Sequence, residues 1–333
     1  NAGYEGYYRY AMAPTDLAAL GRAALKQDTA AKVGYLANLW ALVQAGEVEA
    51  TELLDTLIAH KRERDRVVIE QIIATLHQAS DALVEKSSRA QFQAYVSALL
   101  LPTAKQLGFD ARDSDSEDDR LLRRSVLSAL AALTDEPWML EESKKRARAY
   151  LEGKKIADPE TAAIALRVMA HRGDAEVSFD KLAAALKTAT TPARRVSLVQ
   201  ALGSLGNPTE LRKALALVDS GTIRAQDAIH VMRSSIDWPE SRLVFIAWLQ
   251  ENLPAIAERY PGFGVSRLMQ PLRRVCEAEV RAEAARKFEP LVQEIGGLDR
   301  RLREALEGAA LCVNLRARQA RKVSAYLAKG KFG

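Results

Sequence analysis

Four histidines, two cysteines and one dense acidic stretch are the places where this sequence invites a search for chemistry. His60, His77, His171 and His230 stand singly, with no HExxH and no second histidine three or four residues away. A zinc site would need four remote segments to converge. Gly203-Ser204-Leu205-Gly206 lacks the GxSxG spacing of a nucleophile elbow. Pro261 to Arg267 (PGFGVSR) imitates a glycine-rich phosphate loop, but Arg267 stands where the third glycine belongs and no strand precedes it. The run Asp110 to Asp119 (DARDSDSEDD) could suggest calcium. Counted from Asp113, however, the sixth and twelfth positions are Asp118 and Arg124, not the glycine and acid of an EF-hand. Ser116 followed by Glu117, Asp118 and Asp119 reads instead as a helix N-terminus, a hydroxyl cap with acids facing the positive end of the dipole. The residues thus offer no catalytic, cofactor-binding or metal-ligating set.

The elements that would have to position any site are helices. Val33, Leu36, Trp40 and Val43 share one face of a helix begun by Asp28-Thr29 and stopped by Gly46. Ile69, Ile72, Ile73 and Leu76 repeat the i, i+3, i+4, i+7 pattern. Asp158-Pro159, Gly173-Asp174, Thr191-Pro192, Gly206-Asn207-Pro208, Gly221-Thr222, Trp238-Pro239, Pro261-Gly262 and Gly296-Gly297 punctuate the remainder. Helices this short cannot cover their own apolar stripe, so neighbours must stack on them. The expectation is an all-α fold, an irregular HEAT- or armadillo-like α-solenoid of antiparallel helix hairpins, with one short N-terminal strand at Gly6 to Tyr10.

Of 333 residues, 48 are Lys or Arg and 43 are Asp or Glu, a net charge of +5. Basic and acidic residues mostly alternate, as on solvated helix faces, so nucleic acid is not the expected partner. No apolar run approaches the roughly 20 residues of a membrane span. Cys276 and Cys312 lie far apart in apolar helical stretches and are expected to be buried thiols acting as small hydrophobes; they leave the compartment open.

Several stretches carry a resemblance. Gly6-Tyr7-Tyr8-Arg9-Tyr10 is similar to the G-[YF]-Y-R-V strand of the HExxH zinc aminopeptidases, the aminopeptidase N and puromycin-sensitive aminopeptidase family. Leu36 to Leu42 with Ala45-Gly46 resembles that family's D-x-[FW]-A-L…A-G helix end, with Asn38 where Asp is usual. Ala201-Leu202-Gly203, Ile223 to Asp227 (IRAQD), Ala247-Trp248-Leu249 with Asn252, Tyr260 to Leu268, and Glu307 to Asn314 with Val323 to Leu327 resemble later motifs in the family's order.

The resemblance implies a C-terminal helical (ERAP-like) domain. Residues 1–13 would be the residual strand and linker from a preceding β-sandwich, and 14–333 the helical superhelical domain. It implies that the HExxH machinery and its zinc lie upstream in a parent polypeptide, and that this chain alone is inactive. Its partners would be the catalytic and β-sandwich domains of the same polypeptide, together with peptide substrates. The role implied is to cap the active-site cavity and help select peptides while the parent removes N-terminal amino acids. Arg224 and Arg267 are the candidates for holding a peptide carboxylate, against structural alternatives in which Arg224 pairs with Asp227 and Arg267 is surface charge. At Asp81 and Ala82, where endoplasmic-reticulum relatives place Tyr and Lys, that peptide contact is not expected. The alternative is a free-standing HEAT-like protein-binding scaffold, which has no need of the opening strand.

Overall fold

A computed structural model describes residues 8–154, 156–260, 265–293, 295–330 and 332. The helices are α1 Pro14–Ala24, α2 Thr29–Ala45, α3 Ala50–Ala59, α4 Arg66–Leu83, α5 Arg89–Leu107, α6 Glu117–Leu133, α7 Pro137–Leu151, α8 Pro159–Arg172, α9 Phe179–Thr188, α10 Pro192–Gly203, α11 Pro208–Asp219, α12 Ala225–Ser234, α13 Pro239–Arg259, α14 Ala278–Val292 and α15 Leu298–Leu327. A 3-10 segment, Val265–Arg274, follows α13. Among the described residues the fold is all-α, as the punctuation predicts.

The chain forms two compact units. The first is Asn1–Glu136 with Asn314–Gly333, and the second is Pro137–Val313. In the first, α2 packs on α4, α4 on α6 and α5 on α6. In the second, α8 packs on α7 and α10, α10 on α12, and α11 on α13. Neighbours that skip one helix are the mark of stacked hairpins, which is the solenoid-like arrangement the sequence predicts. Leu36, Leu39 and Val43 of α2, Val68, Ile72 and Leu76 of α4, and Val126, Leu127 and Leu130 of α6 are all buried, so each apolar stripe ends against the next.

Caps set the boundaries. Asp28 accepts from the Ala31 N–H at 2.9 Å, and Asn207 from Thr209 and Glu210 at 2.9 and 3.2 Å. Gly46 closes α2 at φ 86°, a conformation only glycine adopts without strain. The acidic run ends in the expected Ser116 cap, and Asp119 returns the bond to make a capping box: Ser116 Oγ accepts from the Asp119 N–H at 3.1 Å, and Asp119 accepts from the Ser116 N–H at 3.0 Å. Asp115, just before it, is bound by the fully buried Arg123 at 2.5 Å. The acidic loop is thus pinned by a cation of its own chain.

Of the predicted strand, Gly6 and Tyr7 lie outside the described residues, and Tyr8 to Tyr10 form no strand. Tyr10 nonetheless pairs its backbone. Its N–H donates to Asn38 Oδ1 at 3.0 Å, and Asn38 Nδ2 donates to its carbonyl at 2.9 Å. This two-point grip needs one donor and one acceptor on a single side chain. An amide supplies both and an ionised carboxylate only the acceptor, which gives Asn38 a physical role at this position.

The cysteines correct an expectation. They are not thiols: Cys276 and Cys312 form a disulfide, with Cα atoms 4.9 Å apart. Cys276 stands two residues before α14, which has 15 residues. The chain then turns at Gly296-Gly297 and rises along α15 by the same length to Cys312. Equal rises per residue bring the two level, and Arg281 Nε, donating to the Leu306 carbonyl at 3.0 Å, lies on the same antiparallel register. Distance along the sequence hid this pairing because the hairpin between the cysteines was not resolved into two matched rods.

The first unit also carries its own pH response. Burial lowers the His60 pKa below its ordinary value of about 6.5, while the Thr56 carbonyl, 2.9 Å from Nδ1, works weakly against that. Burial alone would raise Glu63, but the Lys32 ammonium at 2.7 Å and the N–H groups of Asp65 and Arg64 outweigh it and hold the carboxyl low. The Thr29 hydroxyl, then the Val68 and Val67 N–H groups, likewise hold Asp65 low. Each group therefore favours the folded state when unprotonated, and that stability is lost as pH falls. We expect the thermal midpoint of the first unit to drop from about pH 6.5 downward, first through His60 and then through the carboxylates. A flat midpoint between about pH 7 and pH 4 would contradict these shifts.

Candidate functional site

Most of the distinctive basic residues are occupied in structure. Arg318 donates to the Gln44 carbonyl at the end of α2 at 2.9 Å, and Arg316 to the carbonyls of Asp81 and Ala82 at the end of α4. Arg123 donates to Leu107 O at the end of α5 at 3.2 Å, and Arg194 to Tyr150 O and Leu151 O at the end of α7 at 2.8 and 3.2 Å. A guanidinium at a helix C-terminus satisfies orphan carbonyls and meets the negative end of the dipole. The small basic excess is thus spent largely on helix ends. Asp81 and Ala82 are buried, 8% and 4% exposed, so neither side chain is placed to meet a ligand from solvent.

Arg224 and Arg267 stand apart from this pattern. Both belong to the second unit and both are exposed. Arg224 is the residue before α12, where its carbonyl accepts from the Asp227 and Ala228 N–H groups at 2.8 and 3.0 Å. Asp227 pairs with Arg195 at 3.2 Å, which leaves the Arg224 guanidinium without that partner. Arg267 sits in the 3-10 segment, after residues 261–264, which lie outside the described residues. Among the described residues neither arginine makes an ion pair. A planar guanidinium with open donors can hold a carboxylate through two parallel bonds.

The first unit contains a groove of about 500 Å³ between α4 and α6, which the sequence reading missed. Glu70, Ile73, Ala74 and His77 line one wall at helical spacing, and Arg124, Ser125, Ser128 and Ala129 line the other. Glu70 is fixed by Arg66 Nη1 at 2.9 Å and by the Ser125 hydroxyl at 3.1 Å. The signal was partly present: 70, 73, 74 and 77 repeat the i, i+3, i+4, i+7 pattern at the edge of the apolar face of α4, where Ile73 was legible but Glu70, Ala74 and His77 are polar or small residues that an apolar search passes over.

The histidines do not converge. His60 is buried at the end of α3, His77 lines the groove, His171 stacks on Trp238 with ring centroids 4.0 Å apart, and His230 lies on α12. Among the described residues no group of three or more His, Cys, Asp or Glu side chains is arranged to hold a metal ion. No described helix is long and apolar enough to cross a membrane.

Comparison with known proteins places this helical chain among partial matches to longer proteins. Aminopeptidase M1-A of Oryza sativa subsp. japonica is 25% identical over 287 residues, covering 82% of this chain and 32% of that protein. Aminopeptidase M1 of Arabidopsis thaliana is 26% identical over 281 residues, covering 81% and 31%. Aminopeptidase 2 of Candida albicans is 23% identical over 258 residues, covering 76% and 28%. The chain thus spans about a third of the length of the curated relatives it matches. The family model for the ERAP1-like C-terminal domain matches residues 1–311, nearly the whole run of stacked helices described above, and the chain belongs to that family.

Proposed function

We propose that this chain is the non-catalytic C-terminal domain of a zinc metallo-aminopeptidase, in which it caps the active-site cavity and helps select peptides for removal of their N-terminal amino acids. The observation that carries this is the family match over residues 1–311, joined to relatives named as aminopeptidases that are each about three times longer. Residues 1–13 would lead in from a β-sandwich, and 14–333 would form the cap. The zinc belongs to the catalytic domain of the parent, since the histidines here are dispersed, and no chemical step is assigned to this chain. Its contribution is to exclude water and limit access when the cap closes over bound peptide. Arg224 and Arg267 are the groups we assign to the peptide carboxylate, because they are exposed arginines not engaged in ion pairs.

The test uses the parent polypeptide. Arg224→Ala and Arg267→Ala, singly or together, should raise KM about tenfold for peptides with a free C-terminus. They should leave KM unchanged for C-terminally amidated peptides and for aminoacyl anilides, which lack the carboxylate. Equal KM values for free and amidated peptides in both parent and variants would remove the arginines from the role. Hydrolysis of aminoacyl anilides by residues 1–333 alone, tracking the protein through purification, would overturn the non-catalytic assignment.

A further inference from the structure

The 3-10 segment Val265–Arg274 has ten residues, where runs beyond about three or four are uncommon because the hydrogen-bond geometry is poor. Such a segment depends on anchors outside itself. With three residues per turn, Met269, Leu272 and the following Val275 share one edge, and all are buried. Arg267, Gln270 and Arg273 share another edge, and all are exposed. Helix α14 comes next, and among its described residues it buries Ala284, Phe288 and Val292, one narrow stripe. Three ties fasten this stretch to α15. The Arg273 side chain crosses α15 at Gly308, where a Cβ would lie 3.0 Å from its Nε. Arg281 Nε donates to the Leu306 carbonyl at 3.0 Å. Cys276 is bonded to Cys312. All three fall within about two turns of α15. Of these, only the disulfide is covalent. Its ends differ in access: Cys276 is 3% exposed, whereas Cys312 is partly exposed and its neighbour Leu311 is 63% exposed. A thiolate arriving from solvent therefore meets the Cys312 sulfur.

We infer that the Cys276–Cys312 disulfide is a reducible clamp. Closed, it holds the 3-10 segment and the start of α14 on α15; opened by a dithiol, it releases them while the rest of the second unit stays folded. One thiolate of the dithiol attacks Cys312 Sγ, the bond to Cys276 breaks, and Cys276 leaves as a thiolate that takes up a proton. The second thiol, deprotonated, attacks the dithiol's own sulfur in the mixed disulfide, and Cys312 leaves in the same way. The dithiol is oxidised to a disulfide, and the two cysteines gain two electrons and two protons. The Arg274 carbonyl, 3.6 Å from Cys276 Sγ, is within reach of the new S–H. The remaining stack does not hang on this bond, since α8 packs on α7 and α10, α10 on α12, and α11 on α13. Arg267 shares the exposed edge with Arg273, about 12 Å away along the segment, so releasing the clamp disturbs its position. That this weakens the grip on a peptide carboxylate rests on the function proposed above; the clamp itself does not.

The experiment is hydrogen exchange on the 333-residue chain, oxidised and then treated with dithiothreitol without denaturant, with iodoacetamide and mass measurement to count free thiols. Both cysteines should become alkylated. Amides of the 3-10 segment and of the first turns of α14 should then exchange about tenfold faster or more, with α8 and α10 unchanged. Oxidised glutathione should restore the slow exchange. The doubly substituted Cys276→Ser, Cys312→Ser chain should exchange as the reduced chain does and ignore dithiothreitol; because the reduced wild type is measured separately, a variant that fails to fold does not end the test. A disulfide that resists dithiothreitol until denaturant is added would overturn the inference. So would unchanged exchange after reduction, or faster exchange throughout the second unit, which would make the bond a staple of the whole fold. In the parent polypeptide the same double variant, which avoids adding a thiol to a zinc enzyme, should raise KM about threefold for peptides with a free C-terminus and leave aminoacyl anilides unchanged. Local release in the exchange experiment with no change in that KM would uphold the clamp and remove Arg267 from the carboxylate role.

Discussion

Deleting residues 314–333 will unfold the first unit while leaving the second able to fold. The deleted segment carries Leu315, Val323 and Leu327, each at most 3% exposed, and Phe332, whose ring meets Tyr95 edge-on at 5.2 Å. Fully burying an aliphatic side chain of this size is worth about 1.5–3 kcal/mol, so the three aliphatic residues alone account for roughly 5–9 kcal/mol. That is comparable to the entire stability of a typical domain, about 5–15 kcal/mol. Polar losses add to it. Lys322 would release Glu49 at 2.6 Å and Tyr326 would release Asp55 at 2.6 Å. The carbonyl of Gln44 would lose an exposed partner, and those of Asp81 and Ala82, at a part-buried helix end, would lose Arg316; a buried acceptor left without a donor costs about 1–3 kcal/mol. The long connection is no obstacle to such dependence, because loop-closure entropy grows only logarithmically with length. Circular dichroism should lose the first unit's melting transition, and limited proteolysis should spare only fragments beginning near Pro137. A truncated chain that melts as the intact one does would show that the C-terminal helix is an ornament on an otherwise complete unit.

What could be read from the sequence was local. α2 and α4 were legible because their apolar spacing and their caps act over one to four residues. The Asp28 cap, the Gly46 stop and the Ser116 capping box each appear where the side-chain chemistry demands. The return of α15 to the first unit was not legible, because a helix's apolar stripe declares that it has a partner and not which one. The same gap hid the disulfide: each cysteine looked like a buried hydrophobe, and only the matched lengths of α14 and α15 bring them together. Arginines were ambiguous for a further reason. A guanidinium that closes a helix end and one that waits for a ligand have the same sequence signature, and only the acceptor in front of it separates Arg316 from Arg224. The groove lay outside a search tuned to metal ligands and nucleophiles, since Glu70, His77 and Arg124 belong to two helices whose adjacency no local pattern states.

Gly203→Ala will destabilise the second unit by about 2 kcal/mol or more, although alanine is the better helix former by about 1 kcal/mol. Gly203 is the last residue of α10, and a Cβ there would lie 2.2 Å from the Val231 carbonyl oxygen of α12 and 3.0 Å from Ser234 Cβ. Backbone cannot rotate out of the way as a side chain can, so α10 and α12 must move apart, and α10 also packs on α8 and α9. Gly206 has the same constraint: a Cβ there would lie 1.9 Å from the His171 carbonyl oxygen, and its own N–H donates to the Ala170 carbonyl at 3.2 Å. Ser204 between them is fully buried, its hydroxyl donating to the Gln200 carbonyl at 2.9 Å and accepting from Arg167 Nε at 3.2 Å. The Gly-Ser-Leu-Gly run that fails as a nucleophile elbow is therefore a place where three backbones come within contact distance, and the serine is consumed in holding them. Gly296→Ala is the matched control, since a Cβ there meets nothing within 4 Å and should change stability by less than about 0.5 kcal/mol. The thermal midpoint of Gly203→Ala should fall by about 4–8 °C, given a shift of about 2–4 °C per kcal/mol in a unit of this size. A midpoint equal to that of Gly296→Ala would mean that α10 and α12 separate without cost, and the close approach at Val231 would then contribute nothing to holding the hairpins in their stack.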